Sequence, residues 1–319
     1  MKKLILITFA TAAIVIAAQA QNQTIIAVHG QQLVLTGTQG SGSVAFRYEW
    51  RRNGTVISTC DGPTHQNCTV PGNLANGQHQ VFTRRIVLTE QCLGPIEQES
   101  NSVTVHFKCG GGHGTVVTNT STGTELCWAD YNSGEGGRFV GTLATNTTLG
   151  RGDVYTPFFQ WNRMAAWPAT GAVTGWDGLS DPAMEAAVTW DPQPCPAGWR
   201  LPTQAEFTAL TVAGRLWQEA NVRGNSVGGM FFGHGAATCG FNTGQNMFGC
   251  IFLPAVGYRR AADGTLESAL YYSPGTGGLY WMSAHANAAS GRYFIFNVTG
   301  ARADLTLDKV AGMSIRCVQ

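Results

Sequence analysis

The residues most able to do chemistry in this 319-residue chain are its nine cysteines. No two stand at the Cys-x-x-Cys separation that zinc ribbons and thioredoxin-like sites use, so they read as a disulfide framework and not as a metal or redox centre. The spacings suggest local pairs Cys60–Cys68, Cys109–Cys127 and Cys239–Cys250 and a long-range pair Cys195–Cys317, although spacing alone does not fix connectivity. Cys92 is left over, in an exposed turn ahead of Gly94-Pro95. The seven histidines are scattered and none forms an H-x-x-x-H pair, which disfavours a zinc or iron enzyme. No serine sits in a Gly-x-Ser-x-Gly elbow, and the Gly-rich stretch from Gly224 to Gly229 lacks the phosphate-loop lysine and reads as a loop. No catalytic residue, metal ligand or cofactor is expected.

Recognition chemistry has better material. Arg259 and Arg260 follow Leu253-Pro254-Ala255-Val256-Gly257-Tyr258, and the pairs Tyr271-Tyr272 and Tyr280-Trp281 flank the turn-rich segment Ser273 to Gly278. Flat rings and guanidinium forks give large contact area with few rotors to freeze, which suits sugars and protein hot spots. Tyr258, Tyr280 and Trp281 are expected in the core, whereas Arg259, Tyr271 and Tyr272 are expected to line a ligand-facing surface.

These groups must be positioned by a helix and many short strands. Thr203 followed three residues later by Glu206 is a capping box, so a helix is expected to start here, with Phe207, Leu210, Ala213 and Trp217 on its buried face and Gln204 and Thr208 outward. The Gly- and Asn-rich segment from Thr211 to Phe252 is expected as loops held by Cys239–Cys250. Upstream, Phe46, Tyr48 and Trp50 alternate with Arg47, Glu49 and Arg51, which predicts a strand with one aromatic and one solvated face. Asn53-Gly54 then predicts a two-residue hairpin turn. Further strands are expected over Val81 to Leu88 and at Val103, Val105 and Phe107. A β-sandwich around Trp50 is the natural packing for residues 21–107, and the glycine run after Cys109 marks a junction to a second domain over 108–319.

The block Pro194-Cys195-Pro196-Ala197-Gly198-Trp199-Arg200-Leu201-Pro202-Thr203-Gln204-Ala205-Glu206-Phe207, with the terminal Gly312-Met313-Ser314-Ile315-Arg316-Cys317-Val318, resembles the Fibrobacter succinogenes major paralogous domain. The resemblance covers roughly 109–319 and implies a C-type-lectin-like fold in a bacterial surface or secreted protein; in that family the positions of Cys195 and Cys317 lie side by side. The stretch from Tyr48 to Gly54, with Phe82-Thr83-Arg84-Arg85 and Ser100 to Val105, is similar to the Ig-like or PKD-like modules of such proteins. The expected fold is mainly β: an Ig-like β-sandwich followed by an α+β, C-type-lectin-like domain.

The same two blocks also resemble the formylglycine-generating sulfatase-modifying enzymes, which bind copper through two cysteines shortly before the Gly-x-Arg-Cys strand. Between Tyr280 and Gly312 this chain has no cysteine, so Leu201-Pro202-Thr203 and Arg316-Cys317 read as fold determinants. The Glu-Pro-Asn, Gln-Pro-Asp and Trp-Asn-Asp motifs with which C-type lectins hold calcium are missing too; Trp161-Asn162-Arg163 puts a cation where the last acid should be. Asp304 and Asp308 read as solvated carboxylates.

Lys2-Lys3, the apolar run Leu4 to Ala18 and Ala18-Gln19-Ala20 fit a cleaved signal peptide over 1–20, with export through it and no membrane span afterwards. A formal net charge of +1 and the lack of a Lys/Arg cluster exclude nucleic acid as an expected partner. With 12% charged residues and 41 glycines, the composition suits a loop-rich exported protein. The expectation is a secreted or cell-surface binding or adhesion protein whose partner is an extracellular glycan or protein, the alternative being a degenerate formylglycine-type or polysaccharide-associated enzyme.

Overall fold

In the computed structural model, the chain is mainly β and divides into two compact units, Met1–Gly112 and His113–Gln319. The structure describes residues 5–9, 12–14, 23–28, 33–37, 46–70, 80–88, 97–99 and 102–109 of the first unit. In the second it describes 114–118, 122, 125–134, 138–139, 157–219, 228–233, 250–269 and 272–319. No helix among the described residues is long and apolar enough to cross a membrane.

The first unit contains β1 (Ile5–Phe9), β2 (Ala12–Ile14), β3 (Gln23–Val28), β4 (Leu33–Gly37), β5 (Phe46–Arg52), β6 (Thr55–Gly62), β7 (Cys68–Val70), β8 (Gln80–Leu88), β9 (Glu97–Glu99) and β10 (Val103–Cys109). One sheet runs β2-β1-β4-β7, so two of its strands fall within the expected leader. Cleavage after Ala20 would leave β4 paired with β7 alone. In the other sheet β10 pairs in parallel with β3 and antiparallel with β8, which carries β5 on towards β6.

Asn53 (φ 49°) and Gly54 (φ 82°) make the β5–β6 turn with both residues left-handed, as a type I′ hairpin requires. Tyr48 and Trp50 are buried, and the Arg84 guanidinium lies 5.1 Å and 5.6 Å from their ring centroids. The opposite face of β5 corrects the sequence reading at one position: Glu49 is buried, not solvated. Arg47 and Arg51 on the same face reach its carboxylate at 3.3 Å and 2.5 Å, so two long cations roof over the shorter acid.

The second unit contains β11 (Gly114–Thr118), β12 (Glu125–Gly134), β13 (Arg138–Phe139), β14 (Phe158–Phe159), β15 (Ala166–Trp167), α1 (Pro182–Ala186), α2 (Gln204–Val212), β16 (Arg215–Gln218), β17 (Gly229–Gly233), β18 (Cys250–Pro254), β19 (Gly277–His285), β20 (Ser290–Asn297), β21 (Gly300–Asp308) and β22 (Arg316–Val318). The last strand returns to the start of the unit, with β22 antiparallel to β12 through Trp128↔Val318 and Asn132↔Arg316. Helix α2 starts as its sequence demands: the Thr203 hydroxyl accepts from the Glu206 N–H, and the Glu206 carboxylate accepts from the Thr203 N–H at 2.7 Å.

Two expectations around α2 need correction. Trp217 does not extend the helix, because Gly214 takes φ +96° just past the Ala213 cap, a helix stop, and Trp217 falls in β16. The span from Thr211 to Phe252 is not all loop, since β16, β17 and β18 form an antiparallel three-stranded sheet. Every residue of Gly229–Gly233 and Cys250–Pro254 is buried, and a strand covered on both faces shows a short apolar run instead of alternation.

Phe207 and Leu210 of α2 and its cap residue Ala213 enter a core with Trp128, Phe232, Tyr280, Phe294 and Phe296, where Phe207 stacks on Phe294 at 4.4 Å. A second core gathers Trp161, Trp190 and Trp281 with Ile315. Gly291 lets β20 approach these indoles, for a Cβ there would stand 2.5 Å from Trp161 and 2.8 Å from Trp281.

Candidate functional site

The cysteine framework is structural wherever it is described. Cys60 and Cys68 are bonded with Cα atoms 5.2 Å apart, and Cys195 and Cys317 with Cα atoms 5.9 Å apart. Cys109, Cys127 and Cys250 are also disulfide-bonded. Cys92 and Cys239 lie outside the described residues.

Of the three residues expected to face a ligand, Arg259 is placed elsewhere. It is completely buried, lying 6.0 Å over the Phe158 ring, and its guanidinium donates to the carbonyl oxygens of Pro168 (2.6 Å and 2.9 Å), Gly264 (2.6 Å), Gly171 (3.0 Å) and Thr170 (3.3 Å). Five donors in a fixed fork can close several turns at once, and this one is spent on holding the 168–171 and 264 turns to the core. Burial lowers its pKa. The exposed cation of the pair is Arg260, ion-paired with Asp263 at 2.7 Å.

Tyr272 does lie at the surface, 36% exposed, while Tyr271 is outside the described residues. The Tyr272 ring meets Tyr258 edge-on at 6.4 Å, and the Tyr258 hydroxyl donates to Glu267 at 3.1 Å. Burial and then the Glu267 charge push the Tyr258 phenol up to about 12; Tyr293, raised mainly by its own burial and then by Tyr272, also reaches about 12. Glu267 is held low by the N–H groups of Ala269 and Ser268. The exposed Tyr272, the half-buried Tyr258 with Glu267, and the exposed Arg302–Asp304 pair (2.8 Å) give this surface its aromatic and polar groups, while Tyr293 lies buried beneath. Tyr280 and Trp281 are core residues, and Tyr258 is half-buried.

A second feature was not visible in the sequence. Between α2 and the β19–β20 sheet runs a groove of about 670 Å³ whose lining includes Gln204, Thr208, Val212, Ser283, Ala284 and Arg292. Among the described residues its only charged lining residue is Arg292. The sequence signal was weak: one cation before the aromatic run Tyr293-Phe294-Ile295-Phe296.

Two further cations, Arg316 and Lys309, are internal braces. Arg316 is buried and donates to Ala129 O (2.9 Å) and Phe252 O (3.0 Å). Lys309 is buried and its ammonium donates to the carbonyls of Met184, Glu185 and Ala187. Among the described residues no group of three or more His, Cys, Asp or Glu side chains could hold a metal ion. No protein family, curated protein or solved structure matches the chain.

Proposed function

We propose that this chain is a non-catalytic, exported binding or adhesion protein of the cell surface or extracellular space, built from an Ig-like β-sandwich and a C-type-lectin-like paralogous domain. What carries the reading is the fate of the motif residues. Thr203 and Glu206 cap a helix, Arg259 and Arg316 brace backbone carbonyls, and Cys317 is locked in a disulfide, so the groups a reaction would draw on are already committed. Tyr272 stays at the surface, in contact with Tyr258. Rigid aromatics on a disulfide-tied scaffold suit recognition of an extracellular glycan or protein.

The test is a glycan and extracellular-protein array probed with the intact, oxidised protein and with Tyr272→Ala. Binding lost in the variant supports the reading; conversion of a sulfatase-type cysteine peptide to formylglycine by the wild-type protein would overturn it.

A further inference from the structure

We infer that the groove between α2 and the β19–β20 sheet binds an extended peptide segment carrying an Asp or Glu side chain next to an aliphatic one, with Arg292 receiving the carboxylate. The inference deepens the proposed binding role and rests on it.

The groove is built by the fold. Phe294, two residues along β20 from Arg292, stacks on Phe207 and fixes how α2 lies on the sheet. The Ser283 N–H donates to Pro202 O at 2.9 Å and ties β19 to the residue just before the helix cap. Arg292 is half-buried, and among the described residues its guanidinium has no hydrogen bond or ion pair. Glu206, which follows the lining residue Ala205 in sequence, is engaged by Arg200 at 2.5 Å and by the cap. Its cross-strand neighbour on β21 is Thr306, which carries no charge. The Ser283 hydroxyl and the Gln204 side-chain amide likewise have no partner among the described residues, so a cation and further polar groups converge on one empty volume.

A partly desolvated guanidinium offers its fork to a carboxylate, and the pair gains strength as water is excluded. The rest of the lining selects the class of partner. Ala205, Ala209, Val212 and Ala284 give a floor of methyl groups, which suits an aliphatic side chain, and among the described residues no aromatic ring lines the groove for a sugar to stack on. One cation is too few for a nucleic-acid backbone. A groove of about 670 Å³ is of ligand-binding size and fits a few residues of extended chain.

A linear random-peptide phage library, which presents no free peptide C-terminus, is panned on the full chain with its disulfides intact. Enriched sequences should pair an acid with an aliphatic residue, and a synthetic copy should bind Arg292→Gln at least about tenfold more weakly. Arg292→Lys should recover part of the loss. Since Arg292 has no partner to lose, the thermal midpoint of Arg292→Gln should match wild type; if it does not, Thr208→Arg on the exposed helix face blocks the groove and should abolish binding. No enrichment, enrichment of acid-free peptides, or equal binding by Arg292→Gln and Thr208→Arg overturns the inference. The binding role is judged separately, by an array ligand lost in Tyr272→Ala, so it can stand when the peptide result overturns the groove.

Discussion

Cys195 and Cys317 are joined across 122 residues of sequence, and beside the bond Arg200 and Val318 exchange backbone hydrogen bonds of 2.9 Å and 2.8 Å. The segment before α2 is thereby fixed to the final strand, which itself lies against β12. In the chain-entropy picture a loop of this size restricts the unfolded state by up to about 5 kcal/mol. Cys195→Ala with Cys317→Ala should lower unfolding free energy by about 2–5 kcal/mol in urea titrations. Non-reducing peptide mapping should recover the pair; two free thiols in exported protein would refute it.

Acid should loosen the same corner through Glu206. Burial pushes its carboxyl up, but the hydrogen bond from Arg200, the Thr203 N–H and the Arg200 charge together bring it below its ordinary value. A carboxyl lowered on folding contributes stability that is fully present above its unfolded pKa of about 4.3 and is lost as pH falls through the lower folded value. Glu206→Gln should cost about 1 kcal/mol at neutral pH, and its deficit relative to wild type should shrink below about pH 4. A deficit that stays constant with pH would mean that packing, not charge, carries the effect.

What the sequence disclosed and what it hid divide along physical lines. The α2 start and the Asn53-Gly54 turn depend on neighbours within three residues, so their chemistry is local and readable. Strands β17 and β18 are buried on both faces and carry no alternation, and the surrounding Gly and Asn residues masked them. Arg259 misled for a tertiary reason: a cation after Gly-Tyr reads as surface, but its partners are carbonyls some 90 residues upstream at Pro168 and Thr170, which no local pattern reveals. Arg292 was hidden in the opposite way, since its interest lies in lacking a partner.

Arg259 and Tyr272 should therefore separate under mutation. Arg259→Met leaves several carbonyls without a donor and should destabilise the second unit by about 3 kcal/mol, with any loss of ligand binding tracking unfolding. Tyr272→Ala removes a partly exposed ring and should weaken binding by at least ~1 kcal/mol while the thermal midpoint holds. Thermal melts and affinity measured on the same preparations decide it. An Arg259→Met protein as stable as wild type would contradict the bracing role.

Lys309 supplies what α1 lacks. That helix is five residues long, with no basic residue in its last turn, and the Lys309 ammonium arrives from beyond β21 to donate to the carbonyl oxygens of Met184 at 2.9 Å, Glu185 at 3.1 Å and Ala187 at 2.9 Å. It also lies 5.6 Å from the Trp161 ring centroid, tying the helix end to the tryptophan core. Lys309→Met keeps the stem but removes all three donors, and should cost about 2–4 kcal/mol. Hydrogen exchange should locate the damage: the amides of Met184, Glu185, Ala186 and Ala187 should lose protection first, while α2, which has its own capping box, keeps its protection. Uniform loss across both helices would mean that Lys309 braces the whole unit and not α1.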